Sequence, residues 1–172
     1  PKSTMSNVLQ RILTALVAAP LALALVWVGG WGFGLLVAAV AVGAQAEVYA
    51  LLRKTGARPL TVLGLAMGAL AALRALVPYA EPLLVFGSVV VVLAMLRGTR
   101  EAPLADAAGT LFGVAYPALL LGYGLVLREA EGFRLDDLDG FWLTATVLVA
   151  VWGADTFAYV AGRAFGRHPL AP

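Results

Sequence analysis

Asp155 stands in GADTFAYVAGRAFGRHPLAP, residues 153–172, inside a run that carries no other charge until Arg163. An ionised carboxylate at the centre of a bilayer costs about 2.5–3.5 kcal/mol on insertion scales, so its presence calls for a ligand, a partner or nearby water. On a helix, Trp152, Asp155, Tyr159, Gly162 and Gly166 follow one another at three- and four-residue steps and share one face. That face offers a carboxylate, a phenol hydroxyl and then bare backbone, with Arg163 and Arg167 just beyond. A carboxylate beside arginines at a membrane surface suits a metal-bound phosphate or pyrophosphate. Asp155 is therefore the candidate metal ligand, and Tyr159, Gly162, Arg163, Gly166 and Arg167 are candidate substrate contacts. The alternative reading is that Asp155 only pairs with an arginine or reaches water.

Other polar residues in apolar runs invite weaker readings. Glu47 lines the same cavity as Asp155, or pairs with Arg53 or Arg11 at the interface. Tyr116 precedes Pro117 in mid-run; the proline frees a carbonyl and kinks the helix, which either shapes a cavity lined by Tyr116 or merely aids packing. Arg74 reads as a snorkelling side chain, and His168 as a solvated loop residue. The chain has no cysteine and one histidine, which excludes thiol catalysis, disulfides and multi-histidine metal sites. A metal would be held by carboxylates and would be a hard ion such as Mg²⁺. GGWGFG, residues 29–34, has tempting glycine spacing, but no strand precedes it and the dinucleotide reading fails. Nothing supports a Ser–His–Asp arrangement.

The elements that must position these residues follow from composition. The 172 residues are 62% hydrophobic and only 13% charged, with mean hydropathy +0.91, against about a quarter charged in soluble domains. The expected fold is all-α: a polytopic transmembrane helix bundle of about six spans. These run over 12–28, 32–52, 60–77, 82–96, 107–127 and 140–162, the fifth without a charge. Pro1 to Thr4 read as a tag remnant, and residues 5–172 as one transmembrane domain. Net charge +2, from 12 basic and 10 acidic residues, gives no support to nucleic-acid binding. Arg11, Arg53, Lys54, Arg58, Arg97, Arg100, Arg163 and Arg167 fall at one side of the spans, so the positive-inside rule places both termini in the cytoplasm. Trp27, Trp31, Tyr79 and Trp142 then form an outer aromatic belt. Asp155, about 22 Å along its helix at 1.5 Å per residue, lies in the cytoplasmic third of the membrane. Arg128 to Asp139 read as a solvated outer loop whose acids lack calcium-loop spacing. Gly64, Gly68 and Ala72, and Ala154, Ala158, Gly162 and Gly166, are small-residue stripes suited to close helix packing.

Several stretches together resemble one family. DTFAYVAGRAFGRHPLAP, residues 155–172, is similar to the motif of the CDP-diacylglycerol synthases, the phosphatidate cytidylyltransferases. RILTALVAAPLALALVWVGG, residues 11–30, looks like that family's first helix, the second span ends in a similar glutamate followed by a leucine pair, and DAAGTLFGVAYPALLLGY, residues 106–123, is similar to its mid-chain helix. The resemblance implies transfer of a cytidylyl group from CTP to phosphatidic acid with Mg²⁺, in a multi-pass protein of the cell membrane whose active face is cytoplasmic. The glycine stripes allow a homodimer. The family's motif continues with Ser-Pro-x-Lys-Thr and a later lysine- and aspartate-rich signature, which do not occur before Pro172. On that reading the chain is the N-terminal two-thirds of such an enzyme and is inactive alone. Alternatives are a CTP-dependent polyprenol or phytol kinase, a transporter with Asp155 and Glu47 as a relay, and a membrane scaffold.

Overall fold

Apolar residues surround these segments on all sides, and lipid leaves the backbone only intrahelical partners. The computed structural model describes the backbone of residues 4–97, 101–130 and 137–166, with side chains from residue 16 onward except 137–139. All regular structure in this part is helical. Helices α1 (Thr4–Val28) and α2 (Gly30–Lys54) have 25 residues each. They are joined by Gly29, whose φ of +65° needs a residue without a Cβ. α3 is Thr61–Ala72 and α4 is Ala80–Arg97. α5 (Pro103–Gly113) opens on a proline whose missing N–H costs nothing at a helix start. A wide π-type turn, Val114–Leu119, leads directly into α6 (Leu120–Arg128). α7 (Asp137–Phe165) closes the described chain.

Among the described residues, four stretches are long and apolar enough to cross a membrane: Gly30–Lys54, Ala80–Arg97, Pro103–Arg128 and Gly140–Phe165. Leu16–Val28 and Thr61–Ala72 are shorter apolar helices. The apolar runs of the sequence thus become helices where expected, with two corrections. The third stops at Ala72 instead of residue 77; its 12 residues extend about 18 Å, and a turn through Pro78 and Tyr79 completes the connection. The fifth starts at Pro103, so it is not free of charge: Asp106 lies in its first turn.

The core lies between α2, α3, α4 and the α5–α6 rod, where Phe33, Ala41, Met67, Ala71, Val91, Ala118 and Leu125 are buried. α7 packs only by its first half, burying Gly140, Thr144 and Ala145; from Ala154 to Gly166 every residue is exposed. Phe141 meets Trp27 edge to face with centroids 5.0 Å apart. The end of α2 and the starts of α3 and α5 gather at one end of the bundle, here called the basic end because Arg53, Lys54 and Arg58 lie there. α1's end, α2's start, α6's end and α7's start gather at the opposite end.

The first small-residue stripe does more than bring backbones together. A Cβ on Gly64 would overlap the Tyr49 hydroxyl, one on Gly68 the Gln45 amide, and one on Gly113 the Tyr49 ring. These glycines make room for two polar side chains of α2. Gly43, on the same helix as Gln45, meets nothing within 4 Å. Gly68→Ala is therefore expected to cost about 1–3 kcal/mol through forced displacement of Gln45, while Gly43→Ala leaves the thermal midpoint in detergent unchanged or slightly raised. Equal midpoints for the two variants would remove this role from Gly68.

Candidate functional site

Gln45 and Tyr49 sit one turn apart on α2, both 0% exposed, and Asp106 and Thr110 sit one turn apart on α5 at 3% and 0%. Such pairs share a helix face, and the two faces meet across α3. The Tyr49 hydroxyl donates to the Thr110 carbonyl at 2.7 Å and accepts from Gln45 Nε2 at 2.8 Å. Gln45 Nε2 also donates to the Gly64 carbonyl at 2.8 Å. These contacts fix which way the amide points: turning it over would set oxygen against oxygen at Gly64. Gln45 Oε1 then faces Gly68 with no hydrogen-bond partner.

The seam continues to the surface of the basic end. Thr110 Oγ1 donates to the Asp106 carbonyl at 2.7 Å and accepts the Leu60 N–H at 2.9 Å. The Asp106 carboxylate accepts the Arg58 N–H. The short connection from α2 to α3 is thus held from beneath by two α5 side chains, and Arg53 Nη1 adds a 3.0 Å bond to Thr61 Oγ1. Arg53, Lys54 and Arg58 are exposed above it. The result is a rigid basic loop on a buried acidic anchor, able to meet anions with little further ordering cost. Asp106, being buried and hydrogen-bonded, acts as an anchor and offers no accessible base.

At the opposite end, Arg128 Nε donates to the Val26 carbonyl at 2.6 Å and Nη2 to that of Trp27 at 3.1 Å. Glu129 Oε1 accepts the Gly30 N–H at 2.7 Å. Arg128 and Glu129, read from sequence as the start of a solvated loop, instead secure the α1–α2 turn; residues 131–136 lie outside the described part. Arg74 does not snorkel away from the bundle either. Its Nη1 donates to the Ala71 and Leu119 carbonyls at 3.0 and 3.2 Å, and its guanidinium lies 4.2 Å from the Tyr123 ring centroid.

The sequence-derived site residues are differently placed. Asp155, Tyr159, Gly162 and Arg163 lie on the exposed half of α7, and Gly166 is exposed just past its end. Arg163 Nη1 donates to the Tyr159 hydroxyl at 3.2 Å, one turn earlier. Gly162 has nothing within 4 Å of where a Cβ would stand. Arg167 and His168 fall outside the described residues. Glu47 is exposed on α2, and Tyr116 is exposed and stacked on Phe112 at 5.3 Å. Among the described residues no three Asp, Glu or His side chains gather to hold a metal. Asp155 alone offers one carboxylate, which falls short of a protein-built Mg²⁺ cage.

The sequence reading passed over Gln45, Tyr49, Asp106 and Thr110. Each pair is spaced i, i+4 in an apolar run, which was the available signal. Starting the fifth helix at 107 hid Asp106, and Gln45 is uncharged and drew no attention.

Fold and seam together define a class: an all-helical bundle with long apolar helices suited to a membrane, a buried polar seam and a basic end. Within that class, the chain belongs to the cytidylyltransferase family, whose model matches residues 9–172. It is 27% identical over 185 residues to a phosphatidate cytidylyltransferase of Synechocystis sp., covering 94% of this chain and 63% of that protein. It is 32% identical over 180 residues to one of Brucella abortus, covering 98% and 59%. A 49-residue stretch is 41% identical to one of Haemophilus influenzae, covering 28% of this chain and 17% of that protein. The chain thus spans about three fifths of the Synechocystis and Brucella proteins. No solved structure matches it.

Asp106→Ala removes the acceptor for the Arg58 amide, a loss of about 1–3 kcal/mol for a buried hydrogen-bonded group, whereas Asp106→Asn keeps an acceptor oxygen. Trypsin is expected to cut after Lys54 about tenfold faster in the alanine variant and near the parent rate in the asparagine variant. An unchanged rate for alanine would show that Asp106 does not hold the loop.

Proposed function

We propose that the protein transfers a cytidylyl group from CTP to phosphatidic acid, giving CDP-diacylglycerol and pyrophosphate in phospholipid synthesis. The observation that carries this is the family match across residues 9–172, joined to long relatives named phosphatidate cytidylyltransferase. In chemical terms, a phosphate oxygen of phosphatidic acid bonds to the α-phosphorus of CTP, and the bond from that phosphorus to the bridging oxygen breaks. Pyrophosphate departs with that electron pair. Such transfer needs positioning and charge neutralisation more than covalent help from the protein.

The working face is the basic end, placed in the cytoplasm, where a water-soluble nucleotide and a membrane lipid both have access. On this reading Asp155, Tyr159, Gly162 and Arg163 form the contribution of α7, with Gly166 and Arg167 following it in sequence. The arginines bind phosphate oxygens, for which a guanidinium fork is well shaped. Mg²⁺, when bound, neutralises triphosphate charge; Asp155 would supply one ligand oxygen and the substrate phosphates others. The membrane is the cell's plasma membrane, with several passes of the chain through it.

Asp155 is exposed and stands on an exposed half-helix, so Asp155→Asn is expected to leave folding undisturbed. In the full-length protein this change is expected to lower CTP-dependent labelling of lipid at least about a hundredfold, the scale of losing one group that stabilises transition-state charge. The thermal midpoint should stay within about 2 °C, as for an exposed substitution. Near-normal turnover would take Asp155 out of the site.

A further inference from the structure

The rod Pro103–Arg128 is held by side-chain contacts at both ends. At the basic end Asp106 and Thr110 hold the amides of Arg58 and Leu60, and the Thr110 carbonyl receives Tyr49. At the other end Arg128 and Glu129 hold Val26, Trp27 and Gly30. Each set requires its side chains to point in a particular direction. A helix turns about 100° and advances about 1.5 Å per residue, so the way the residues between the two sets are wound decides whether both sets can be made at once.

The wide turn lies between them. Pro117 has no N–H, and in a regular α-helix its ring would strike the carbonyl of Gly113, four residues earlier. Pairing five residues apart lets that carbonyl reach past Pro117 to the amide of Ala118. The turn therefore does not simply kink the helix or leave a carbonyl free, as the sequence suggested. It re-satisfies the backbone by taking up one residue more than α-helical pairing would use. Arg74 brackets the same place, donating to the Leu119 carbonyl at the end of the turn and lying over Tyr123 in the next. Its Nη1 also sits 2.7 Å from where a Cβ on Gly122 would stand, so a small residue is needed there.

We propose that this turn is a register spacer: it absorbs one surplus residue, so that the basic loop and the α1–α2 turn stay anchored by the same rod despite it. The inference rests on geometry and is independent of the reaction proposed above. A spacer of this kind makes length changes asymmetric. Removing one residue at the turn, with the proline also replaced, converts the rod to plain α-helix with both ends still in register. Adding one residue puts them out of register.

The test uses the full chain in detergent, with two variants: Pro117→Ala with Ala115 deleted, and Pro117→Ala with Ala115 duplicated. Ala115 is exposed, so its loss opens no cavity. The deletion variant is expected to keep its thermal midpoint within about 3 °C of the parent and to keep trypsin cleavage after Lys54 within about twofold. The duplication variant is expected to lose about 6 °C or more, and to be cut there about tenfold faster. A deletion variant that unfolds, loses as much as the duplication, or is cut equally fast overturns the proposal. So does a duplication variant that matches the parent.

Discussion

A polar group buried in a membrane bundle has no water to fall back on, so it must find its partner within the protein. The seam from Gln45 through Tyr49 and Thr110 to Asp106 meets that constraint except at Gln45 Oε1, and the arrangement of α2, α3 and α5 depends on it. An apolar seam would tolerate rotation or sliding of one helix against the next, because lipid and leucine attract each other about equally. The tyrosine hydroxyl bound at once to Gln45 and to the Thr110 carbonyl permits only one register. The glycines of α3 are fitted to this chain of contacts, since any side chain at Gly64 or Gly68 would occupy the space of the groups that form it.

The two ends of the bundle use different means to the same purpose. At the basic end, one carboxylate and one hydroxyl hold the backbone of a loop and leave its cations outward. At the opposite end, charged side chains hold the ends of helices, and the aromatic contacts of Trp27, Phe141 and Trp142 pack beside them. The rod from Pro103 to Arg128 connects both. Rigidity is therefore concentrated in α2, α3 and this rod, whereas the second half of α7 is exposed along its length. The residues with the plainest chemical promise lie on that half, outside the rigid part.

Helix count, approximate limits and the packing role of the Gly64–Gly68 stripe were legible in the sequence, because they follow from hydropathy and residue size. The basic clusters and the family resemblance were legible too. The seam was not. Its members are neutral or stand at a helix start, where charge-based segmentation assigns them to loops, as happened to Asp106. Arg74, Arg128 and Glu129 were misread for a related reason. A charged residue at the end of an apolar run has a default place in water, and only the tertiary structure shows that backbone carbonyls and amides compete for it. The second stripe, Ala154 to Gly166, has the same spacing as the first but is exposed, so spacing alone does not name a partner.

Arg128 and Glu129 are adjacent, opposite in sign, and attached to helix ends of opposite polarity. The arginine meets carbonyls where α1 finishes, and the glutamate meets an amide where α2 begins. A helix end bears partial negative charge at its carbonyls and partial positive charge at its amides. The dipeptide therefore matches the α1–α2 hairpin only when the first helix arrives and the second departs on the correct sides. Reversing its order would set each charge against the wrong pole. Two neighbouring residues at the end of the sixth helix thus carry handedness information for the first pair of helices, about a hundred positions earlier in the chain: they distinguish the native hairpin from its mirror arrangement.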